Sequence, residues 1–313
     1  MINADVIQHQ IVNDVRLYFN TLNYRTLHFH KDMEILWALD GGFEILIDNE
    51  LRTVEEGKIL LLNVGQLHEI KAPSKGCTML AAHISPNLVV KEVPGFEHIH
   101  FDEPFLNTLP EELYKGIQKL LLEGMWQYLK KPLYYELYCT NNMRMFVYWL
   151  LTCLPYHVLT EKESLVQEKN NERLQRLVRF VEKNYMYNIR LSDFAESEGR
   201  SLNRISHFIK NTMRQSFRQY VDMVRFNAAC TMMVTGQHKM LDICMECGFS
   251  DYKYFSKAFV SRTGLTPELY SQQLNQKAGD ETRCEHNIYS QERFYTPEQS
   301  LRLCEKFREK YIK

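Results

Sequence analysis

Three histidines and one glutamate in the first seventy residues have the types and spacing of a binding site. His28, His30 and Glu34 share one parity, so on an extended strand their side chains point to the same face. If that face is the interior of a barrel, His68 from a second strand would complete a set of three imidazoles and one carboxylate. Nitrogen and oxygen ligands of this kind suit Zn, Fe, Mn or Ni.

Gly41, Gly57 and Gly65 lie at fixed distances from these residues, in the pattern of two known sequence motifs. The first cupin motif is resembled by the stretch His28-x-His30-x3-Glu34-x6-Gly41. The second is resembled by Gly57-x5-Asn63-x-Gly65-x2-His68, with Asn63 in place of the usual proline. Three interpretations remain open for the histidines: metal ligands, the wall of a small-molecule pocket, or hydrogen-bonded groups of the barrel wall. Trp37 is either core or pocket wall.

The elements that must position these residues are predicted to be short β-strands from residue 24 to about residue 100. Apolar runs such as Ile35–Leu39, Phe43–Ile47 and Ile59–Leu62 are separated by glycines and turns, which is typical of a barrel or sandwich. Apolar residues at steps of three and four then predict helices over 106–125 and 143–154. Each apolar helix face is either core or a dimer seam.

From Arg173 onward the sequence predicts short helices, including two units built on one plan. Residues 191–213 and 240–264 each begin with a short helix, turn at Gly or Ser, and continue into a longer capped helix. Ser192, Ser201 and Asp251 are the predicted N-caps. The longer helices are expected to bury apolar residues, namely Ile205, Phe208 and Ile209 in one and Tyr254, Phe255 and Phe259 in the other. The opposite faces carry Asn203, Ser206, His207 and Lys210, and Tyr252, Lys253, Ser256 and Lys257. An apolar back with polar and cationic groups in front is expected of a DNA-recognition helix.

Residues 172–274 resemble the DNA-binding domain of the AraC/XylS family of regulators. The match is carried by Arg225 and Ala229, then by Asp242-Ile243, Cys247 to Asp251, Tyr254-Phe255-Ser256, Phe259, Gly264, Thr266-Pro267 and Tyr270. The resemblance implies two helix-turn-helix units on one linking helix, inserted into successive major-groove segments. It places base-facing residues at Asn203, Ser206 and His207, and at Tyr252, Lys253, Ser256 and Lys257. Arg214 and Cys244 depart from the family pattern, which usually has Gly and Ala there.

The same resemblance bears on the barrel, because AraC-type regulators often hold a small organic effector in a cupin-like half. We therefore expect an effector pocket at His28, His30, Glu34, Trp37 and His68, with a sugar or sugar derivative as the family-typical ligand and with no metal or cofactor. One rival is a metal-dependent cupin enzyme with a helical accessory domain. The other is a scaffold whose helical part binds proteins.

Charge is unevenly divided along the chain. Residues 1–171 carry a net charge of −7, residues 172–274 carry +5, and residues 275–313 carry +1. A basic C-terminal segment suits a polyanion such as double-stranded DNA. The predicted organisation is multidomain α and β: a cupin-like β-barrel with two helices over 1–159, a linker over 160–171, an all-α double helix-turn-helix domain over 172–274, and an extension over 275–313. Within that extension Thr296-x-x-Gln299 has the form of a capping box before an amphipathic helix.

Several classes of protein are disfavoured by the sequence. It has no signal peptide, no apolar run approaching the roughly 20 residues of a membrane span, and eight scattered cysteines, so we expect a cytoplasmic protein without a membrane partner. No nucleophile–histidine–carboxylate set or glycine-rich phosphate loop stands out, so we expect no enzyme. The expected partners are DNA, a small-molecule effector, RNA polymerase and a second copy of the chain, bound through the helices after the barrel.

Overall fold

Antiparallel strands form most of the first hundred residues. The computed structural model describes residues 12, 14–48, 50–73, 75–235, 238–277, 283–286 and 290–312. The strands are β1 (Val15–His28), β2 (Met33–Asp40), β3 (Phe43–Ile47), β4 (Glu50–Val54), β5 (Ile59–Leu62), β6 (His68–Lys71), β7 (Cys77–Ile84), β8 (Ile99–Phe101), β9 (Tyr156–Val158), β10 (Arg283–His286) and β11 (Ser290–Phe294). β1 therefore begins nine residues before the predicted start of β structure.

The main sheet is a nearly closed antiparallel barrel. Its hydrogen-bonded order is β4-β3-β6-β1-β7-β2-β5, and β11 adds to β1 with β10 beside it. β1 is long enough to pair with β7 through its first half and with β6 through its second. Alternation along β2 sends Leu36 and Ala38 into one buried cluster with Phe43, and sends Ile35 and Trp37 into another on the opposite face. The predicted N-terminal β-barrel followed by helices is confirmed.

Helices cover the outer face of the barrel and make up the C-terminal half. They are α1 (Glu111–Lys130), α2 (Tyr135–Cys153), α3 (Glu161–Asn184), α4 (Leu191–Ser197), α5 (Leu202–Met213), α6 (Phe217–Thr235), α7 (Met240–Glu246), α8 (Tyr252–Thr263), α9 (Pro267–Lys277) and α10 (Pro297–Tyr311). α1 and α2 form an antiparallel pair whose apolar faces share a buried cluster with strands of the barrel. Among the described residues, no helix combines the length and the apolarity that crossing a bilayer requires.

The segment predicted as a linker, 160–171, is the first half of α3. Thr160 caps this helix: its hydroxyl accepts from the Glu163 backbone N–H, and the Glu163 carboxylate accepts from the Thr160 backbone N–H. This reciprocal capping box starts the helix where we had expected irregular chain. The connection between the barrel and the first helix-turn-helix unit is therefore helical.

The C-terminal extension returns to the barrel. β11 pairs with β1, and α10 buries Cys304 and Phe307 in the cluster shared with α1 and the barrel strands. The predicted capping box of this helix is present, because the Thr296 hydroxyl accepts from Gln299 N while the Gln299 side chain accepts from Thr296 N. The last described residues are thus part of the N-terminal half in space.

Candidate functional site

The first helix-turn-helix unit consists of α4 and α5. Ser201 caps α5 as predicted, accepting from the Arg204 backbone N–H. Ser192, the predicted cap of α4, lies inside that helix, and Arg190 is its N-cap. α5 buries Ile205, Ile209 and Met213 against α3 and α6, with Phe208 half-buried. The four predicted base-facing residues are all exposed: Asn203, Ser206, His207 and Lys210.

The second unit consists of α7 and α8, and two of its tyrosines differ from the prediction. Tyr254, expected in the apolar set, is 54% exposed, whereas Phe255 and Phe259 are fully buried. Tyr252, expected to face bases, is half-buried: its ring packs on Phe255 and its hydroxyl donates to Glu268 of α9. Each residue turns the helix by about 100°, so positions 252 and 254 lie about 200° apart, on opposite sides. Only one of the two can therefore share the buried side with residues 255 and 259. Lys253 and Lys257 are exposed, and Ser256 is partly exposed.

The end of α3 holds the linking helix and the second unit together. The Arg225 guanidinium, on α6, donates to the carbonyl oxygens of Tyr185 at 2.8 Å and Tyr187 at 2.9 Å. Gly248, in the α7–α8 turn, lies so close that a β-carbon there would be 2.5 Å from the Tyr185 carbonyl oxygen. Both contacts fix α6 and the second unit to the same short segment. The two outward helices are therefore parts of one connected helical scaffold.

Comparison with known proteins finds transcription regulators among the similar sequences. A model of the helix-turn-helix domain matches residues 194–273. YdeC, an uncharacterized HTH-type transcriptional regulator of Bacillus subtilis (strain 168), is 21% identical over 283 residues, covering 85% of this chain and 94% of YdeC. The melibiose operon regulatory protein of Escherichia coli (strain K12) is 20% identical over 279 residues, covering 80% of this chain and 85% of that protein. These relatives are AraC-type transcription regulators, in agreement with the resemblance noted in the sequence.

A solved structure is similar over most of the chain as well. ToxT from Vibrio cholerae O395 aligns with a TM-score of 0.41 at 13% identity, covering 85% of this chain and 99% of that one. The helix-turn-helix match over residues 194–273 and the sequence relatives are those of AraC-type DNA-binding transcription regulators. The prediction made from the paired helix-turn-helix units is confirmed at this level.

Arg214, which departs from the family's usual glycine, still forms the expected helix end. It is the C-cap of α5 with φ 48° and ψ 18°, a left-handed conformation. Gly264 takes the corresponding conformation after α8, with φ 74°. α5 and α8 therefore end in the same way, although at Arg214 the conformation carries the steric cost of a β-carbon.

The second candidate site is the histidine cluster, by which we mean His28, His30, Glu34 and His68. The structure brings all four together: one ligand atom from each lies within 4.8 Å of the others. Glu34 Oε2 is 3.1 Å from His68 Nε2 and 3.5 Å from His30 Nε2. Glu34 and His68 are buried, while His28 and His30 are partly exposed at the barrel end. The residues named from spacing alone are thus one site.

Trp37, which we had placed in the pocket, lies on the opposite face of β2. It is fully buried beneath α10, where its ring packs against Tyr311 and its indole N–H donates to the Gly57 carbonyl. The reason is parity, because residue 37 is an odd number of positions from Glu34 along the strand. Trp37 is core.

His83 is a neighbour of the histidine cluster that sequence reasoning missed. It lies on β7 directly across from Glu34, with its Nε2 3.3 Å from Glu34 Oε1 and 3.1 Å from the Tyr18 hydroxyl. Only the pairing register between β2 and β7 reveals this contact. The local signal at position 83, one histidine in an apolar run, did not distinguish it.

Burial controls the protonation of this site. Desolvation holds the pKa of His28 and His30 well below the usual value, and for His28 the neighbouring His68 and His30 act in the same direction. Burial also opposes ionisation of Glu34, but His83, His30 and the contact with His68 outweigh it, so its pKa lies well below the usual range. His28 and His30 are therefore neutral imidazoles beside an ionised Glu34 at neutral pH.

Proposed function

We propose that the protein recognises specific sites in double-stranded DNA by placing α5 and α8 in two major-groove segments. The supporting observation is that each helix is anchored by a buried apolar face and leaves polar and cationic side chains free on the other. The proposed base-facing or phosphate-facing residues are Asn203, Ser206, His207 and Lys210, and Lys253, Ser256 and Lys257. Tyr252 has a supporting role, since its hydroxyl is held by Glu268.

The barrel half is the proposed sensor. We assign residues 1–159 to a domain that binds a small effector at the histidine cluster, residues 172–274 to the DNA-binding domain, and residues 160–171 to a helical connection. The melibiose operon regulatory protein, one of the relatives, favours a sugar-type organic effector as one candidate class. Effector binding would shift the population between arrangements of the DNA-binding half.

The remaining partners follow from the same role. Several apolar side chains of α2 and the turn before it are exposed, including Leu133, Leu137 and Tyr148 at 82%, 61% and 58%. Exposed apolar side chains of this kind suit association, and we assign them to a homodimer interface. A regulator of this type acts in the cytoplasm and contacts RNA polymerase, and we propose that it has no catalytic role.

Charge removal on the second recognition helix tests the proposal. We expect Lys253→Ala and Lys257→Ala each to weaken binding of a genomic site about three- to tenfold, because each loses a phosphate or base contact. The site is first isolated by footprinting the full-length protein on DNA of its own genome, and affinity is then measured by fluorescence anisotropy. If the lysine contacts phosphate, its removal also lowers the slope of log affinity against log salt by roughly one.

Lys119→Ala is the matched control, because it removes the same exposed charge from α1. We expect it to leave affinity and salt slope unchanged. Unchanged affinity and site preference in both recognition-helix variants would mean that α8 does not face the DNA. A protein with no salt-dependent duplex binding at all would support the scaffold alternative instead.

A further inference from the structure

We propose that His28, His30, Glu34 and His68 bind one divalent transition-metal ion, and that the bound ion controls how the barrel holds the DNA-binding half. The second part of this proposal rests on the function proposed above. The first part rests on geometry alone: three imidazoles and one carboxylate converge at the barrel end with their ligand atoms within 4.8 Å of one another. This assignment departs from the metal-free pocket expected from the sequence, and a small effector would share the barrel end with the ion.

The hydrogen bonds of two histidines show which nitrogens face the centre. His68 Nδ1 lies 3.0 Å from the Gln66 carbonyl oxygen, and His28 Nδ1 lies 2.7 Å from that of Thr26. A carbonyl oxygen only accepts, so Nδ1 is the donor in both residues, and Nε2 is the ring nitrogen that faces the centre and can act as a ligand. Such outer contacts are the ones that orient metal-ligating histidines.

The lone pairs are buried and unsatisfied. Within the described part of the chain, no hydrogen-bond donor reaches Nε2 of His28, His30 or His68, or Oε2 of Glu34. His68 Nε2 and Glu34 Oε2 nevertheless lie 3.1 Å apart, acceptor facing acceptor. Buried acceptors in this arrangement cost free energy unless a cation lies between them. A cation bound between these four residues would satisfy all of the unsatisfied lone pairs at once.

The ligand set selects the class of ion. Imidazole nitrogen and carboxylate oxygen together favour Zn²⁺, Fe²⁺, Mn²⁺ or Ni²⁺ over the oxygen-seeking Ca²⁺ and Mg²⁺. Ligand atoms about 2.1 Å from a shared ion are at most about 4.2 Å apart, so the widest separation must close by roughly half an ångström. His28 and His30 are only partly buried and lie next to the irregular 29–32 turn, so they are the ligands free to make that adjustment.

The loop that carries His68 also carries the contact with the DNA-binding half. The Gly65 N–H donates to the His30 carbonyl, and the Gly65 carbonyl accepts from the side chains of Gln167 and Asn171 on α3. Leu67, beside His68, and Leu27, beside His28, pack into the buried cluster formed by α3, α5 and α6. Closing the ligands on an ion would therefore restrain the same backbone that α3 rests on.

Metal uptake by the full-length protein tests the first part. The protein is stripped with a chelator, dialysed and titrated separately with Zn²⁺, Fe²⁺ under anaerobic conditions, Mn²⁺ and Ni²⁺. Stoichiometry is measured by elemental analysis and affinity by competition with a chromophoric chelator. We expect one ion per chain for at least one metal, and an affinity at least about a hundredfold weaker in His68→Gln and in His28→Gln, because each loses a direct ligand.

The control removes a different set of histidines. His100 and His157 lie together near Asp102, with His157 Nδ1 2.6 Å from its carboxylate, so they form the competing surface site for adventitious metal. We expect the double variant His100→Gln/His157→Gln to bind as the unaltered protein does. Substoichiometric uptake by the folded protein would overturn the metal site. So would a metal affinity in His28→Gln and His68→Gln equal to that of the unaltered protein. Because His68 is buried and its substitution can disrupt folding, the partly exposed His28→Gln provides the second, independent test.

Hydrogen exchange with and without the tight-binding metal tests the second part. We expect amide exchange in residues 63–68 and in α3 to slow at least about threefold on metal binding, and not to change in His28→Gln. Metal binding without this protection would leave the ion without a regulatory role. DNA-site binding by the metal-free protein is measured in parallel, so failure of the metal proposal and failure of the DNA-binding proposal are separate results.

Discussion

At the scale of single residues, one buried ion pair joins the last strand to the barrel. The Arg25 guanidinium contacts Glu292 through two nitrogens, at 2.6 Å and 3.0 Å, and the Asn20 amide donates to the same carboxylate at 2.9 Å. The Glu292 side chain is fully buried and that of Arg25 is 6% exposed. Removing one partner of such a pair is costly because the other charge stays in a poorly solvated place.

We therefore expect Glu292→Ala to lower the free energy of unfolding of the barrel half by about 3–5 kcal/mol. Denaturant titration followed by near-ultraviolet circular dichroism measures this change. Glu298→Ala is the control, because its pair with Arg302 is about three-quarters exposed on both sides and contributes little. Equal stability of the two variants would show that the buried pair does not hold β11 in place.

At the scale of elements, the two helix-turn-helix units differ at the glycine of the turn. Gly199 has φ 58° with open space around its α-carbon, whereas Gly248 has φ 78° and abuts the chain at Tyr185 and Met186. A β-carbon at Gly248 would lie 2.5 Å from a carbonyl oxygen and 2.8 Å from an α-carbon. The first turn needs glycine only for its dihedral angles, and the second needs it also for close packing.

Alanine substitution should separate these two needs. We expect Gly199→Ala to destabilise the helical half by about 1 kcal/mol through the left-handed conformation alone. Gly248→Ala should cost at least about 2 kcal/mol more, since the end of α3 must also move. The midpoint of thermal unfolding by far-ultraviolet circular dichroism reports both, and equal midpoints would mean that α3 does not press on the second unit.

At the scale of the whole molecule, the chain passes through the DNA-binding half and then returns to the barrel. α10 covers Trp37 through Tyr311, and Arg308 both pairs with Glu123 at 2.7 Å and lies 4.6 Å from the centre of the Trp126 ring. The barrel therefore depends on residues more than 250 positions away from its first strands. Most of the buried residues of the DNA-binding half come from its own helices, with Leu27 of β1 added to one of the two clusters.

Truncation after Lys277 should therefore damage the two halves unequally. We expect the shortened protein to show red-shifted tryptophan fluorescence and faster proteolysis of residues 15–101, because Trp37 and Trp126 lose their cover. Its helical half should still bind duplex DNA. An unchanged emission spectrum and unchanged proteolysis would show that the barrel is complete without α10 and β11.

What the sequence determined by itself was local. Helices α5 and α8 were predicted with their caps at Ser201 and Asp251, because capping and the 3.6-residue period act within a dozen residues. The motif spacing also named the four residues of the histidine cluster, although not through the single strand we had assumed: His28 ends β1, His30 lies in the turn after it, Glu34 is on β2 and His68 begins β6. Two residues were misplaced although local rules apply to them. Strand parity puts Trp37 on the face opposite Glu34, and the angle around the helix puts Tyr254 on the exposed side of α8.

Only the tertiary structure decided what depends on distant chain segments. His83 joins Glu34 through strand pairing across about fifty residues, and β11 reaches β1 from the far end of the chain. The loop of His68 rests on α3 through side chains a hundred residues later. Such contacts are stabilised by burial and complementary hydrogen bonds in the folded chain, and short-range sequence patterns carry no record of which distant partners meet.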